Sequence, residues 1–226
     1  MKNIIEDVKE NGDEALFKYN EMFDNVIMTE LTVSSEEIEE AYNRMDVKFK
    51  ETLKIAHDNI KKFHEKQVRN NFFVNENDGV ILGQMINPIE KVGVYVPGGT
   101  ASYPSTVLMN VIPAKIAGVN EIILVTPPNK NGKIDDVILA SAKIAGVDKI
   151  FKVGGAQSVA ALSYGTETIP KVYKIVGPGN IYVAMAKKMV YGEVAIDMVA
   201  GPSEILIIAD ESANAANVAA DLLSQA

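Results

Sequence analysis

Cysteine is absent from the 226 residues, which excludes disulfides, thiolate metal sites and a cysteine nucleophile. Tryptophan is absent too, and histidine occurs only as His57 and His64. Those two fall two turns apart on one helical pattern, about 10 Å, which is too far to share a metal ion without a bend. They read as partly exposed helix residues. No uncharged apolar run is long enough to cross a bilayer. The opening "MKNIIEDVKENGDEAL" is acidic and lacks an apolar signal core, so the expected location is the cytoplasm, with no membrane partner. Positive charge is in deficit: the net charge of −8 argues against a nucleic-acid partner, whose phosphates need a basic footprint. An anionic ligand would have to be held by local backbone dipoles.

Several motifs are missing as well. The dinucleotide fingerprint G-x-G-x-x-G fails in "GPGNIY", where Tyr182 stands in place of the third glycine. No G-K-[ST] follows any glycine turn, so there is no phosphate-binding P-loop, and no G-x-S-x-G elbow presents a serine nucleophile.

What is present suits a soluble globular protein, with 47% hydrophobic and 23% charged residues and length enough for one large domain or two small ones. The first part reads as helices. Asn11-Gly12 ends one and Asp13 can cap the next, with Leu16, Tyr19 and Phe23 facing inward. Ser34 with Glu37 forms a capping box ahead of Ile38, Tyr42 and Met45. Phe49, Leu53, Ala56, Ile60 and Phe63 then mark a long amphipathic helix. "FFVNENDGVILGQMI" reads as a hairpin turning at Asp78-Gly79.

From Lys91 the texture changes. Val- and Ile-rich runs ("KVGVYV", "EIILVTP", "KIFKV", "KVYKIV", "VAIDMV", "EILIIAD") alternate with helical segments at roughly Thr106–Ala117, Ile134–Ala145, Ser158–Tyr164 and Ile181–Tyr191. Such runs predict a mostly parallel sheet covered on both faces. Three domains' worth of chain follow from this: an incomplete first unit at 1–92, an α/β domain at 93–208, and the start of a return segment at 209–226. In the last, Ser212 can cap a helix that places Val218, Leu222 and Gln225 on one buried stripe.

Three strands run into glycine loops, "YVPGGTAS", "KVGGAQS" and "IVGPGN". In an open α/β sheet, ligands bind beyond the carboxyl ends of the strands. Any one loop has a sufficient explanation as a tight turn, but three on one edge favour a nucleotide or phosphate site. Gln157 and Asn180 follow two of these turns, either as helix caps or as amides aimed at a ligand. Tyr95 ends a strand, as a core aromatic or as a ring face. Ser203 in "AGPSEI" is either a turn residue or a substrate contact.

Taken together, "DGVILGQMINPIEKVGVYVPGGTASYPSTVLMNVIPAKIAGV", "KVGGAQSVAALSYGTETIPKVYKIVGPGNIYVAMAKKMVYG", "IDMVAGPSEILIIAD" and "AADLLSQA" strongly resemble the histidinol dehydrogenase family, as does "VKENGDEALFKYNEMFD". The resemblance covers essentially the whole chain. It implies an incomplete Rossmann-like α/β domain plus a partial second α/β unit with an N-terminal helical region. It implies oxidation of L-histidinol through L-histidinaldehyde to L-histidine with NAD, in zinc-dependent homodimers. By motif, Tyr95, Gln157 and Asn180 would contact NAD, Ser203 and Gln225 the substrate, and Gln225 also zinc. The family's histidine zinc ligand comes one helical turn after that glutamine, and its catalytic Glu-His pair later still, beyond Ala226. The expectation is therefore an N-terminal half, inactive and without tight zinc by itself. A related zinc-dependent dehydrogenase of another small alcohol, or a non-catalytic nucleotide-binding module, would share these motifs.

Overall fold

In the computed structural model, residues 1–77, 79–98, 102–199 and 204–224 are described. The centre is a five-stranded sheet built from β3 (Lys91–Tyr95), β4 (Glu121–Thr126), β5 (Lys149–Lys152), β6 (Lys174–Val176) and β7 (Ala195–Ile196). Its order is β5-β4-β3-β6-β7, and every neighbouring pair is parallel. Renumbered from the first strand of the sheet, that is 3-2-1-4-5, the Rossmann order without its sixth strand. Each connection carries a helix: α4 (Pro104–Ile116), α5 (Asp136–Ala145), α6 (Gly155–Tyr164) and α7 (Ile181–Val190).

The strands are apolar throughout because both faces are covered. Along β4 the side chains alternate. Ile122 and Leu124 join a core with α4 and α5, and Ile123 and Val125 join a second core with α6 and α7. The N-terminal helices add an outer layer to both sides. From α1 (Lys2–Tyr19), Ile5, Val8 and Leu16 enter the α6–α7 core, whereas Ala41 of α2 (Ser35–Arg44) and Leu53 of α3 (Val47–His64) enter the other. Residues 31–33 lie antiparallel along β5 and close that edge of the sheet: Lys152 N–H donates to Leu31 O at 2.7 Å and Val33 N–H to Ile150 O at 3.0 Å.

Local chemistry accounts for the joints. Gly12 interrupts α1 with φ 51°, where the Glu167 carboxylate accepts from Asp13 N–H at 2.8 Å, so the expected break between two helices is a kink. The Asp13 side chain accepts from Thr168 and makes no capping bond among the described residues. Ser34 and Glu37 make the predicted capping box reciprocally. A single π-helical turn, Asn20–Asp24, follows α1 and ends at Asn25 in the left-handed region. A separate antiparallel hairpin, β1 (Phe72–Asn77) with β2 (Val80–Gln84), turns through Gly79; Asp78 lies outside the described residues.

Four expectations need correction. "EILIIAD" (204–210) is not a strand: no described strand lies alongside to bond its backbone, and Leu206 and Ile208 are 86% and 93% exposed. The last helix, α8 (Ala215–Leu223), is capped by Asn214 rather than Ser212, whose N–H and hydroxyl are both taken by Asp210. Its stripe is not buried, for Leu222 is half-exposed. Phe23 and Phe63 also face water, Phe23 stacking on Tyr19 with ring centroids 5.5 Å apart.

Candidate functional site

Because the strands are parallel, all their C-terminal ends open on one edge, and the glycine loops lie there together. Loops after β3 and β5 meet on Pro127, which follows β4: a Cβ placed at Gly98 or at Gly154 would strike that proline ring. After β3 the chain winds outward through β4 and β5, then returns to β6 on the other side. The gap between β3 and β6 is therefore the topological switch point, where open α/β sheets bind their ligands.

Tyr95 closes β3 and is buried, so the core reading of this aromatic holds for its ring. Its hydroxyl reaches the next loop and accepts from Gly155 N–H at 3.3 Å. Burial pushes the Tyr95 pKa above the usual phenol value; the Gly155 N–H opposes this and the Asp24 carboxylate adds to it. Across the switch point Gly177 adopts φ 112°, and a Cβ there would stand well inside 3.0 Å of the Tyr95 carbonyl oxygen. Tyr95 is thus joined to the loop of Gln157 on one side and to the loop of Asn180 on the other.

Gln157 sits in the first turn of α6 and is 1% exposed. It does not cap its helix, and its Oε1 is buried with no hydrogen-bond partner among the described residues. Leaving such an oxygen unpaired costs about 1–3 kcal/mol, so it calls for a donor from outside the described residues. Asn180 does cap: its Oδ1 accepts from Tyr182 N–H at 3.0 Å and Val183 N–H at 3.1 Å. Its side chain remains exposed at the start of α7, where free N–H groups and the helix dipole favour an anion. Ser203 and Gln225 lie outside the described residues.

Other groups at this edge carried no motif. Lys187 of α7 is 3% exposed and donates to Gly177 O at 3.0 Å and to Asp197. Asp197 in turn accepts from Gly177 N–H at 2.9 Å and Met198 N–H at 2.6 Å. A lysine amid the apolar "YVAMAKKMV" and an acid inside "VAIDMV" were the available signals. Asn20 is fully buried and donates to Lys152 O at 2.9 Å, fixing the π-helical turn against the end of β5. Burial holds the Asp24 carboxyl of the same turn up at about 6.

The residues at the switch point fit a dinucleotide: an orphaned buried amide oxygen, glycines that admit backbone approach, and a helix start. Zinc has no comparable donor set. Among the described residues no three His, Cys, Asp or Glu side chains come together. His57 and His64 stay on α3, bonded to Asp58 and Gln67. A hollow of about 420 Å³ beside His57 and Lys61 is closed by Ile112, Ile116 and Ala145, at the ends of α4 and α5 away from the glycine loops.

The family model for histidinol dehydrogenase matches residues 1–226. The chain belongs to the histidinol dehydrogenase family. Histidinol dehydrogenase of Clostridium acetobutylicum is 57% identical over all of this chain, which covers 52% of that protein. That of Listeria innocua is 59% identical over the same span, 53% of its length. The crystal structure of histidinol dehydrogenase from Elizabethkingia anophelis superposes with a TM-score of 0.91 at 46% identity, over 99% of this chain and 52% of that one. The chain thus spans about half the length of the family members it matches, in agreement with the expected N-terminal half. Among the described residues no helix is long and apolar enough to cross a membrane.

Proposed function

We propose that this chain is the cofactor-side half of a histidinol dehydrogenase, an NAD-dependent enzyme oxidising L-histidinol through L-histidinaldehyde to L-histidine in homodimers of the whole protein. The observation that carries the reading is the buried Gln157 Oε1 at the edge of the β3–β6 switch point, without a hydrogen-bond partner among the described residues. In this reading residues 93–208 hold the cofactor, and 1–92 and 209–226 belong to the first unit.

NAD, when bound, supplies the hydride acceptor. Gln157 offers its free amide oxygen to a donor on that ligand. Tyr95 holds the β5–α6 loop in place through Gly155, and Asn180 fixes the start of α7 toward the pyrophosphate. Gly177 and its neighbours keep side chains out of the space between β3 and β6. Ser203 and Gln225 are assigned to substrate, and Gln225 to zinc, by motif alone; no step is derived through that metal.

Two measurements test the proposal. Titration of the 226-residue chain with NAD should show weak binding, because part of the binding energy must order an open surface. Mixing the chain with the complementary half of the Clostridium acetobutylicum relative should restore NADH production from L-histidinol, which neither half gives alone. NAD binding without turnover in the mixture would favour a nucleotide-binding module. Turnover with a different amino alcohol only would favour a related dehydrogenase.

A further inference from the structure

We propose that Lys187 and Asp197 are positioning residues that clamp the glycine loop after β6 and set it for the cofactor. The proposal rests on the cofactor reading of the β3–β6 switch point and adds a device that no motif marks.

The geometry is specific. Gly177 presents both its backbone polar groups to this one pair: its carbonyl accepts from Lys187 Nζ at 3.0 Å, and its N–H donates to Asp197 Oδ2 at 2.9 Å. The two side chains are bonded to each other through Asp197 Oδ1. Gly177 is therefore held on both sides of its residue, in a left-handed conformation that brings its Cα against the Tyr95 carbonyl. Three residues later Asn180 opens α7. The same Asp197 oxygen that meets Lys187 also accepts from Met198 N–H at 2.6 Å, at the start of the stretch that leads in sequence to Ser203. One ion pair thus ties the loop after β6 to the end of β7.

Energetics distinguish this role from plain stabilisation. A buried charge seldom outperforms an apolar side chain of similar size, because it must leave water, and here that cost falls on Lys187, since the Asp197 side chain stays 27% exposed. Lys187 is almost wholly buried in a helix face otherwise made of Val183, Ala186 and Val190. If fold stability were its only contribution, hydrocarbon would serve as well. What hydrocarbon cannot do is hold the N–H and C=O of Gly177 at once.

The test compares the unaltered chain with the double variant Lys187→Met/Asp197→Leu. Three readouts are taken: thermal unfolding, amide hydrogen exchange at Gly177, and NAD titration. The expected result is a folded protein with a somewhat lower melting temperature, because the Gly177 N–H and C=O lose their partners, with about tenfold faster exchange at Gly177 relative to the amides of β4 and about tenfold weaker NAD binding. Asp197→Asn retains an acceptor for the Gly177 N–H but no charge for Lys187. It should give a smaller change in the same direction, and it decides the question if the double variant does not fold. Unchanged exchange at Gly177 in a folded variant overturns the clamp. Faster exchange with unchanged NAD affinity overturns its role in the site. If the unaltered chain binds no NAD, the cofactor reading itself fails, while the exchange data still decide whether the clamp exists.

Discussion

Gly177 packs against Tyr95 so closely that no other residue fits: a Cβ at 177 would lie far inside contact distance of the Tyr95 carbonyl oxygen, 3.0 Å from its carbonyl carbon and 3.1 Å from its backbone nitrogen. The contact joins the C-terminal ends of β3 and β6, the two strands that flank the switch point. It turns a glycine of the "GPG" motif from a phosphate-binding candidate into a structural requirement of the site's floor.

Alanine at this position meets two penalties, a positive φ and a backbone collision. Gly192 separates them, for it has nearly the same φ, 110° against 112°, with nothing within 4 Å of an added Cβ. Gly192→Ala should cost about 1 kcal/mol from conformational strain alone. Gly177→Ala should cost about 3 kcal/mol or more, because β3 and β6 must also move apart. Urea unfolding of both variants measures the difference, and equal losses would show that the Tyr95 contact relaxes freely.

The orphaned oxygen of Gln157 gives a prediction in the opposite direction. Replacing a buried, unpaired polar group with an apolar one of similar shape removes a desolvation penalty. Gln157→Leu should therefore leave stability unchanged or raise it by about 1 kcal/mol, and should weaken NAD binding. Residues selected for stability would show the reverse. A clear loss of stability in Gln157→Leu, with NAD affinity intact, would identify the residue as part of the scaffold.

How far the sequence could be read follows from which interactions are local. The apolar run of "EIILVT" and the capping box at Ser34 and Glu37 are fixed within a few residues, and both are realised as read. The strand runs place β3 to β7, because a strand buried on both faces needs a continuous apolar stretch. "EILIIAD" has the same texture and forms no strand, since a strand also needs a neighbour and sequence texture cannot supply one. At the site, Tyr95, Gln157 and Asn180 were legible because they adjoin glycine turns. Lys187 and Asp197 were not. Their partner is the backbone of Gly177, ten residues from one and twenty from the other, and such pairing appears only after the chain has folded.

Asp24 makes stability depend on pH in a defined window. Burial raises its carboxyl from 3.8 to about 6, and Oδ2 has no hydrogen-bond partner among the described residues. The folded protein therefore keeps a proton that the unfolded chain has released. That contribution is fully present below about 3.8 and is lost as the pH rises through about 6. Asp24→Asn should match the parent near pH 4 and exceed it by about 1 kcal/mol at pH 7.5, a modest figure because the carboxyl is partly open to water. Urea midpoints at the two pH values check this. A constant difference between the proteins would remove Asp24 as the source.

Asn180 has two separable duties, and a pair of substitutions distinguishes them. Its Oδ1 caps α7 by accepting from the N–H groups of Tyr182 and Val183. Its amide nitrogen makes no hydrogen bond among the described residues and is free to donate to a ligand. Asn180→Ala removes both functions and should cost about 1 kcal/mol of stability, the usual value of a lost cap. Asn180→Asp retains the cap, and its charge suits the positive end of the helix, so stability should hold or rise slightly. That same charge replaces a donor with an acceptor and repels a pyrophosphate. NAD binding should accordingly weaken more in Asn180→Asp than in Asn180→Ala, although the aspartate variant is the more stable of the two. Calorimetric unfolding paired with NAD titration of each variant tests the inversion. If affinity instead follows stability, Asn180 serves the site only by holding the first turn of α7 in place.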